Sequence, residues 1–206
     1  MSEDSGASST SGHARRAGRG EGESLTRLYE RLAPALYAWA SIRIHPRHRG
    51  RLDPYDVVQD TWWRALNAFS SFDPERGSFR AWLFRIATNV LTDGYRRLAV
   101  RGQIPSVDRE HREQALPSEA AAEMTSISQA AARSDDVARI IAAVQALDPE
   151  DRTLLACCGL EGLSATDAAP ALGIKPEACG KRWQRLRAEL RQSPLWRSFL
   201  AILDED

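Results

Sequence analysis

Lysine is nearly missing from this 206-residue chain: only Lys175 and Lys181 occur, so almost all positive charge is arginine. No apolar run is long enough to span a bilayer. The opening residues are polar and lack the apolar centre of a secretory signal. The expectation is a cytoplasmic protein without membrane insertion. Cysteine is scarce. Cys157, Cys158 and Cys179 show no metal-ligand spacing, and three thiols without an export signal argue against a disulfide framework. Reduced, mostly buried cysteines are expected. No Ser-His-Asp or Cys-His arrangement appears, no phosphate-cradling glycine loop, and no paired acids on an apolar face. The chain is therefore expected not to be an enzyme, with no catalytic residue, metal ligand or cofactor.

What is present is an uneven distribution of charge behind a net charge of zero. Residues 25–101 carry thirteen Arg/Lys against seven Asp/Glu, 13 − 7 = +6. Residues 102–136 carry three against seven, 3 − 7 = −4, and residues 175–191 six against two, 6 − 2 = +4. Two basic modules flanking an acidic connector say more about partners than the total does.

Along the chain, residues 1–23 hold almost nothing apolar and are expected to be disordered. Ser24 can cap a helix carrying Leu25, Leu28, Leu32, Leu36 and Trp39, which Pro34 is expected to kink. Ile44–Leu52 is a basic loop whose His45 and His48 read as surface residues. Asp53-Pro54 starts a second helix with a buried face of Val58, Trp62, Ala65, Leu66 and Phe69. Its other face carries Asp56, Asp60, Trp63 and Asn67. An exposed Trp is a common interface anchor; packing of Trp63 against the first helix is the alternative. Ser70–Ser78 is turn-rich, and Ser78 can cap a third helix, Phe79–Arg97. There Phe79, Trp82, Leu83, Ile86 and Val90 form a core stripe at helical spacing. Arg85, Asn89, Thr92 and Arg96 line up beside it, with Phe84, Thr88 and Tyr95 nearer the back. Cations, amides and aromatics on one open face suit a nucleic-acid strand. An ordinary solvated amphipathic helix is the plainer reading.

After residue 101 the composition turns to Ala, Glu, Ser and Gln with Pro105 and Pro117, a flexible acidic linker. From Asp136, Val137, Ile140, Ile141, Val144 and Leu147 make a stripe. Asp148-Pro149-Glu150-Asp151 caps the next helix, with Gly159 as its stop. Ser164 and Asp167 can form a capping box for a helix ending at Leu172-Gly173. A last long helix from Pro176 to about Gln192 has Cys179, Trp183, Leu186 and Leu190 inside and Glu177, Lys181, Gln184 and Arg185 outside. Helix, short glycine turn, helix with a basic outer face is the helix-turn-helix plan. The tail, Leu195 to Ile202, is apolar at helical spacing and then acidic. It can dock on its own domain, form a last core helix, or meet a regulatory partner.

The strings LDPYDVVQDTWWRAL and FDPERGSFRAWLFRIATNVLTDGYRR resemble the second conserved region of bacterial sigma-70 factors, closest to the extracytoplasmic-function group. LDPEDRTLL, EGLSATDAAPALGIKPEACGKRWQRLRAEL resembles the fourth region. The resemblance implies an all-α chain of two small helical domains. These are a region 2 bundle (24–100) and a region 4 helix-turn-helix (136–193), joined by the linker (101–135) and followed by the tail (194–206). It implies core polymerase binding, through the clamp helices of the largest subunit and the flap, with Asp56, Val57, Gln59, Asp60 and Trp63 on the clamp. It implies minus-ten strand binding and opening by Arg76, Ser78, Phe79, Arg85, Asn89, Arg96 and Arg97, with a base flipped into a pocket. It implies minus-thirty-five duplex reading by Lys175, Glu177, Lys181, Arg182, Gln184 and Arg185. Members of the group are commonly held by an anti-sigma factor, and the linker threads toward the transcript exit path. Departures from the pattern are Gly94 inside its helix, bulky Trp62 and Trp63, Pro170 inside a helix, Lys175 where Ser is usual as a cap, and Gly180 in place of a basic residue. The second group of departures implies weakened or altered minus-thirty-five reading. The competing reading is a helix-turn-helix regulator with an N-terminal sensing domain that does not replace the sigma subunit; binding of core polymerase separates the two.

Overall fold

The computed structural model describes residues 22–100 and 135–204. Most of the stretch expected to be disordered, and all but the last residue of the acidic linker, lie outside those residues. Within them the chain is all-α, as expected. Helix α1 spans Gly22–Arg43, α2 Pro54–Asn67, α3 Phe79–Val100, α4 Asp135–Ala146, α5 Pro149–Leu154, α6 Ala165–Leu172, α7 Pro176–Leu190 and α8 Pro194–Asp204. A π-helical turn, Leu155–Leu160, continues α5.

Helix α1 is the centre of the molecule. Leu28, Tyr29, Leu32, Ala33, Ala35, Leu36, Ala38, Trp39 and Ala40 are all buried. Those positions take up well over half of the helix circumference and leave a narrower stripe, Arg27, Glu30, Pro34 and Tyr37, toward solvent, so the helix needs cover on two flanks. α2 and α3 cover one flank; α4, the π-helical turn and α8 cover the other. The two halves consequently share one contiguous apolar core. One expectation about α1 is corrected. The helix begins at Gly22, so Ser24 lies inside it and is not its cap. Pro34 sits within an unbroken helix. The carbonyl that its missing N–H would bond is that of Glu30, an exposed residue, so water can satisfy it.

The caps follow the sequence closely. Asp53 accepts from Tyr55 N–H at 2.9 Å, Ser78 Oγ from Ala81 N–H at 3.2 Å, and Asp148 from Glu150 and Asp151 N–H at 3.2 Å each. Ser164 Oγ accepts from Asp167 N–H, and its hydroxyl donates to the Asp167 carboxylate at 2.6 Å. Gly173 ends α6 with a left-handed φ of +66°. Pro170 lies on the exposed side of α6 without breaking it.

Gly159 does not stop its helix, as the sequence suggested; the turn through it widens and runs on to Leu160, and Gly162, at φ +70°, makes the exit. Gly159 is needed for closeness instead. A Cβ there would stand 3.0 Å from Trp183 Cη2 and 3.1 Å from Leu155 Cδ1. Gly159→Ala should therefore lower stability by about 1–3 kcal/mol, the usual cost of overpacking, measured by urea unfolding.

The apolar part of the tail also finds its place in the core. Trp196, Phe199 and Leu200 of α8 are buried, and the helix touches α1, α4 and the π-helical turn. Cys157 and Cys179 are buried and Cys158 half-buried, all as free thiols. Burial, then the neighbouring Cys179, pushes the Cys158 thiol up to about 12.

Candidate nucleic-acid interface

The loop before α3 and the first turns of α3 enclose an open cleft of about 310 Å³. Its shape follows from local chemistry. Asp73 accepts from Glu75 N–H at 3.0 Å and starts a short 3-10 turn, Pro74–Arg76. Gly77 then takes φ +146°, which side chains rarely adopt, and delivers the chain to the Ser78 cap. Phe72 and Trp82 line the cleft with ring centroids 5.5 Å apart. Arg76 and Arg85, both exposed, stand at its edge with Ser78 between. An apolar ring surface beside guanidiniums and a hydroxyl is suited to one planar base and its phosphates.

Of the expected strand residues, Arg76, Arg85, Asn89 and Arg96 are exposed, Ser78 lines the cleft, and Arg97 is half-exposed. Phe79 is not. It is fully buried, packed on Phe72 at 5.3 Å, Trp82 at 5.3 Å, Phe69 at 5.7 Å and Trp62 at 6.3 Å, and supports the cleft from below. As the first residue of α3, it points into the bundle rather than along the open face. Phe84 is also buried, edge-on to Trp39 at 5.9 Å, so it is no stacking surface. Tyr95 is engaged too, donating to Arg43 O at 3.1 Å and accepting from His45 N–H at 3.0 Å. The rings that line the cleft are Phe72 and Trp82. Trp82 was assigned to the core stripe; its half-burial, three residues before exposed Arg85, puts it at the boundary of the two faces.

On α2, Asp56 is exposed, while Gln59, Asp60 and Trp63 are half-buried. Gln59 Nε2 donates to Tyr55 Oη at 2.7 Å. Val57 is 5% exposed and belongs to the core, a correction to the polymerase-facing set. Trp63 lies between the two readings offered for it: its ring is half-covered, and its covered Nε1–H finds no acceptor among the described residues. Asp93 ties α2 to α3, accepting from Arg64 at 2.8 Å, with Arg96 3.5 Å away. The Arg64 hydrogen bond holds the Asp93 carboxyl below its ordinary value.

On α7, Lys175, Glu177, Lys181, Gln184 and Arg185 are exposed. Arg182 is not available to DNA as expected. Its Nε donates to Asp151 at 2.7 Å, its Nη2 to Asp148 at 3.1 Å and its Nη1 to Glu150. Three carboxylates at the start of α5 thus fix α7. Lys175 makes no side-chain cap, in keeping with its departure from the pattern. Gly180 is half-buried, and a Cβ there would stand 3.5 Å from Ala165 Cβ of α6, so it lies on the side turned toward α6 and not in the outer basic row.

The halves meet at a polar junction beside the cleft. Glu161 accepts from Trp39 Nε1 at 2.7 Å and from Arg43 through Nε at 2.9 Å and Nη2. Arg43 Nη2 also reaches Cys157 Sγ at 3.3 Å. Arg80 of α3 donates to the Gly159 carbonyl, where the π-helical turn ends. A Cβ on Gly162 would lie 3.8 Å from Ala81 Cβ, and Ala81 is part of the cleft wall.

A cleft holding two rings and two arginines on one helical module, with a helix-turn-helix on the other, is the architecture of a DNA-handling protein. The Sigma-70 region 2 family matches residues 28–101. The chain is 36% identical to the RNA polymerase sigma factor CnrH of Cupriavidus metallidurans over 154 residues, 75% of each protein. It is 33% identical to the sigma factor NccH of Alcaligenes xylosoxydans over 86% of this chain and 90% of that one. It is 34% identical to the ECF sigma factor SigE of Mycolicibacterium smegmatis over 68% of this chain, and that match spans 51% of SigE. A solved structure of CnrH in complex with the cytosolic domain of CnrY aligns over 92% of this chain and 95% of that one, at 28% identity and a TM-score of 0.41. The chain belongs to the sigma-70 family of RNA polymerase sigma factors, in its extracytoplasmic-function group.

Proposed function

We propose that the cleft at the start of α3 takes one unpaired base of the minus-ten element, stacked on Trp82 and Phe72, with Arg76 and Arg85 on the flanking phosphates. The supporting observation is the cleft itself, an aromatic recess between two exposed arginines. Asn89 and Arg96 continue the strand path along α3. The exposed part of α2, Asp56 with half-buried Gln59, Asp60 and Trp63, serves the polymerase clamp. Lys175, Glu177, Lys181, Gln184 and Arg185 of α7 serve the minus-thirty-five duplex, with residues 24–100 and 136–193 as the two working domains. The chain works in the cytoplasm and catalyses nothing; it selects where core enzyme starts. An inhibitory partner belongs to this reading, since CnrH, a relative by sequence, is described in complex with the cytosolic domain of CnrY. No helix among the described residues is long and apolar enough to cross a membrane.

The test uses a labelled non-template minus-ten oligonucleotide and the chain bound to core polymerase. Trp82→Leu should weaken binding about 5- to 150-fold, the loss of one stacked base. Arg85→Ala should lower the salt slope by about 0.7, one single-strand phosphate. Oligonucleotide binding by both variants at the level of the unaltered chain would reject the assignment of the cleft.

A further inference from the structure

The basic loop between α1 and α2 belongs neither to the cleft nor to the outer faces of α2 and α7. Residues 44–52 contain Arg47, Arg49, Arg51, His45 and His48 and no acid. The three arginines and His45 are exposed. Among the described residues no carboxylate pairs with any of the three. Like charges gathered on one exposed loop raise the local positive potential and attract anionic partners.

The loop is also held in one place. Tyr95 Oη bonds both His45 N–H and Arg43 O, and the His48 ring stands edge-on to Tyr95 at 5.5 Å. Arg47 Nε donates to His48 Nε2 at 2.9 Å, and Arg49 Nη2 donates to Ser41 O at 3.1 Å. Partial desolvation, then the charges of Arg47, His45 and Arg51, hold His48 below its ordinary value, which suits its acceptor role. Gly94, the glycine inside α3, belongs to this arrangement. Leu52, at the end of the loop, lies so close that a Cβ on Gly94 would meet its Cδ2 at 2.9 Å. The glycine lets the loop seat against the helix.

That seat is on the strand path. On a helical wheel Arg85, Asn89, Thr92 and Arg96 fall within about 60° of arc, and Tyr95 lies at one flank of that row, about 80° from Arg85. Tyr95 is ten residues beyond Arg85, about 15 Å further from the cleft at 1.5 Å per residue. A DNA path that enters the cleft and follows α3 therefore reaches the loop at its far end. Besides the His45 ring the loop offers only arginine guanidiniums to its surroundings, a donor set suited to phosphate.

We propose that Arg47 and Arg51 form a second DNA site, gripping the phosphate backbone of the still-paired duplex that adjoins the melted strand. This rests on the strand-binding reading of the cleft.

The experiment compares the double variant Arg47→Ala, Arg51→Ala with the unaltered chain, each assembled with core polymerase. The probes are a forked promoter fragment with upstream duplex and the minus-ten oligonucleotide alone. The fork should bind at least tenfold more weakly at low salt, and its salt slope should fall by about 1.8, two duplex phosphates. The oligonucleotide and core enzyme itself should bind within twofold of normal, and thermal unfolding of the variant should be unchanged. An unchanged slope on the fork overturns the proposal. So does an equal loss on the oligonucleotide, or a loss of core binding, which would make the loop a polymerase contact. Failure of the cleft reading shows on a separate measurement, normal oligonucleotide binding by Trp82→Leu.

Discussion

Glu161→Ala should destabilise the chain by about 2–4 kcal/mol and let its two halves move apart. The carboxylate collects three donated hydrogen bonds from α1, one from Trp39 and two from Arg43. Removing it leaves an indole N–H and a guanidinium without their acceptor in a site where Glu161 is 10% exposed. Removing one member of a fully buried pair costs about 3–5 kcal/mol. Arg43 keeps 30% of its side chain in water, which moderates the loss. Glu161→Gln should fall between the two, since the amide oxygen still accepts from Trp39 but carries no charge. Chemical unfolding gives the energy, and small-angle scattering should show a larger radius of gyration for Glu161→Ala. Binding of the isolated chain to upstream duplex should not change, because the outer row of α7 already faces solvent. A compact variant that unfolds within about 0.5 kcal/mol of the unaltered chain would mean that the apolar core alone holds the halves together.

That junction was invisible to sequence reasoning, and the reason is physical. Caps are local, so Asp53, Ser78, Asp148, Ser164 and Gly173 could be read within four residues of their partners. Periodicity is local as well, and it gave the buried faces of α2, α3 and α7. It says which residues need cover, not what covers them. Arg43 and Glu161 are 118 positions apart, and nothing in either segment announces the other. Arg182 was assigned to DNA because a basic residue beside an outer helix face is most simply solvated; the acids that claim it are 31 to 34 positions away. One signal was there to be used. Ala33–Ala40, APALYAWA, carries no charged residue over two turns, more apolar surface than one neighbouring helix would cover. It marks α1 as the helix both halves share. In the cleft, the arginines were legible and the rings were not, because Phe72 lies in a loop and Trp82 sits on the border between two faces.

Phe79 provides the second large effect and the sharpest contrast between a wheel and a packed bundle. Phe79→Ala should cost about 3–5 kcal/mol, the range for a fully buried aromatic truncated to a methyl. Phe79→Leu nearly conserves volume and should cost less than about 1.5 kcal/mol. If the ring faced the strand, as the resemblance implied, the leucine variant would be as stable as the unaltered chain and would lose about 1–3 kcal/mol of oligonucleotide affinity. The buried ring predicts the reverse division: a measurable loss of stability and, well below the melting temperature, affinity within about threefold, since Phe79 acts only by holding Phe72 and Trp82 in place. Trp82→Leu should divide the other way, with the larger share of its loss in affinity, because half of that ring is open to the cleft. Measuring unfolding and oligonucleotide binding on the same two leucine variants therefore tells which ring supports the cleft and which one a base would touch.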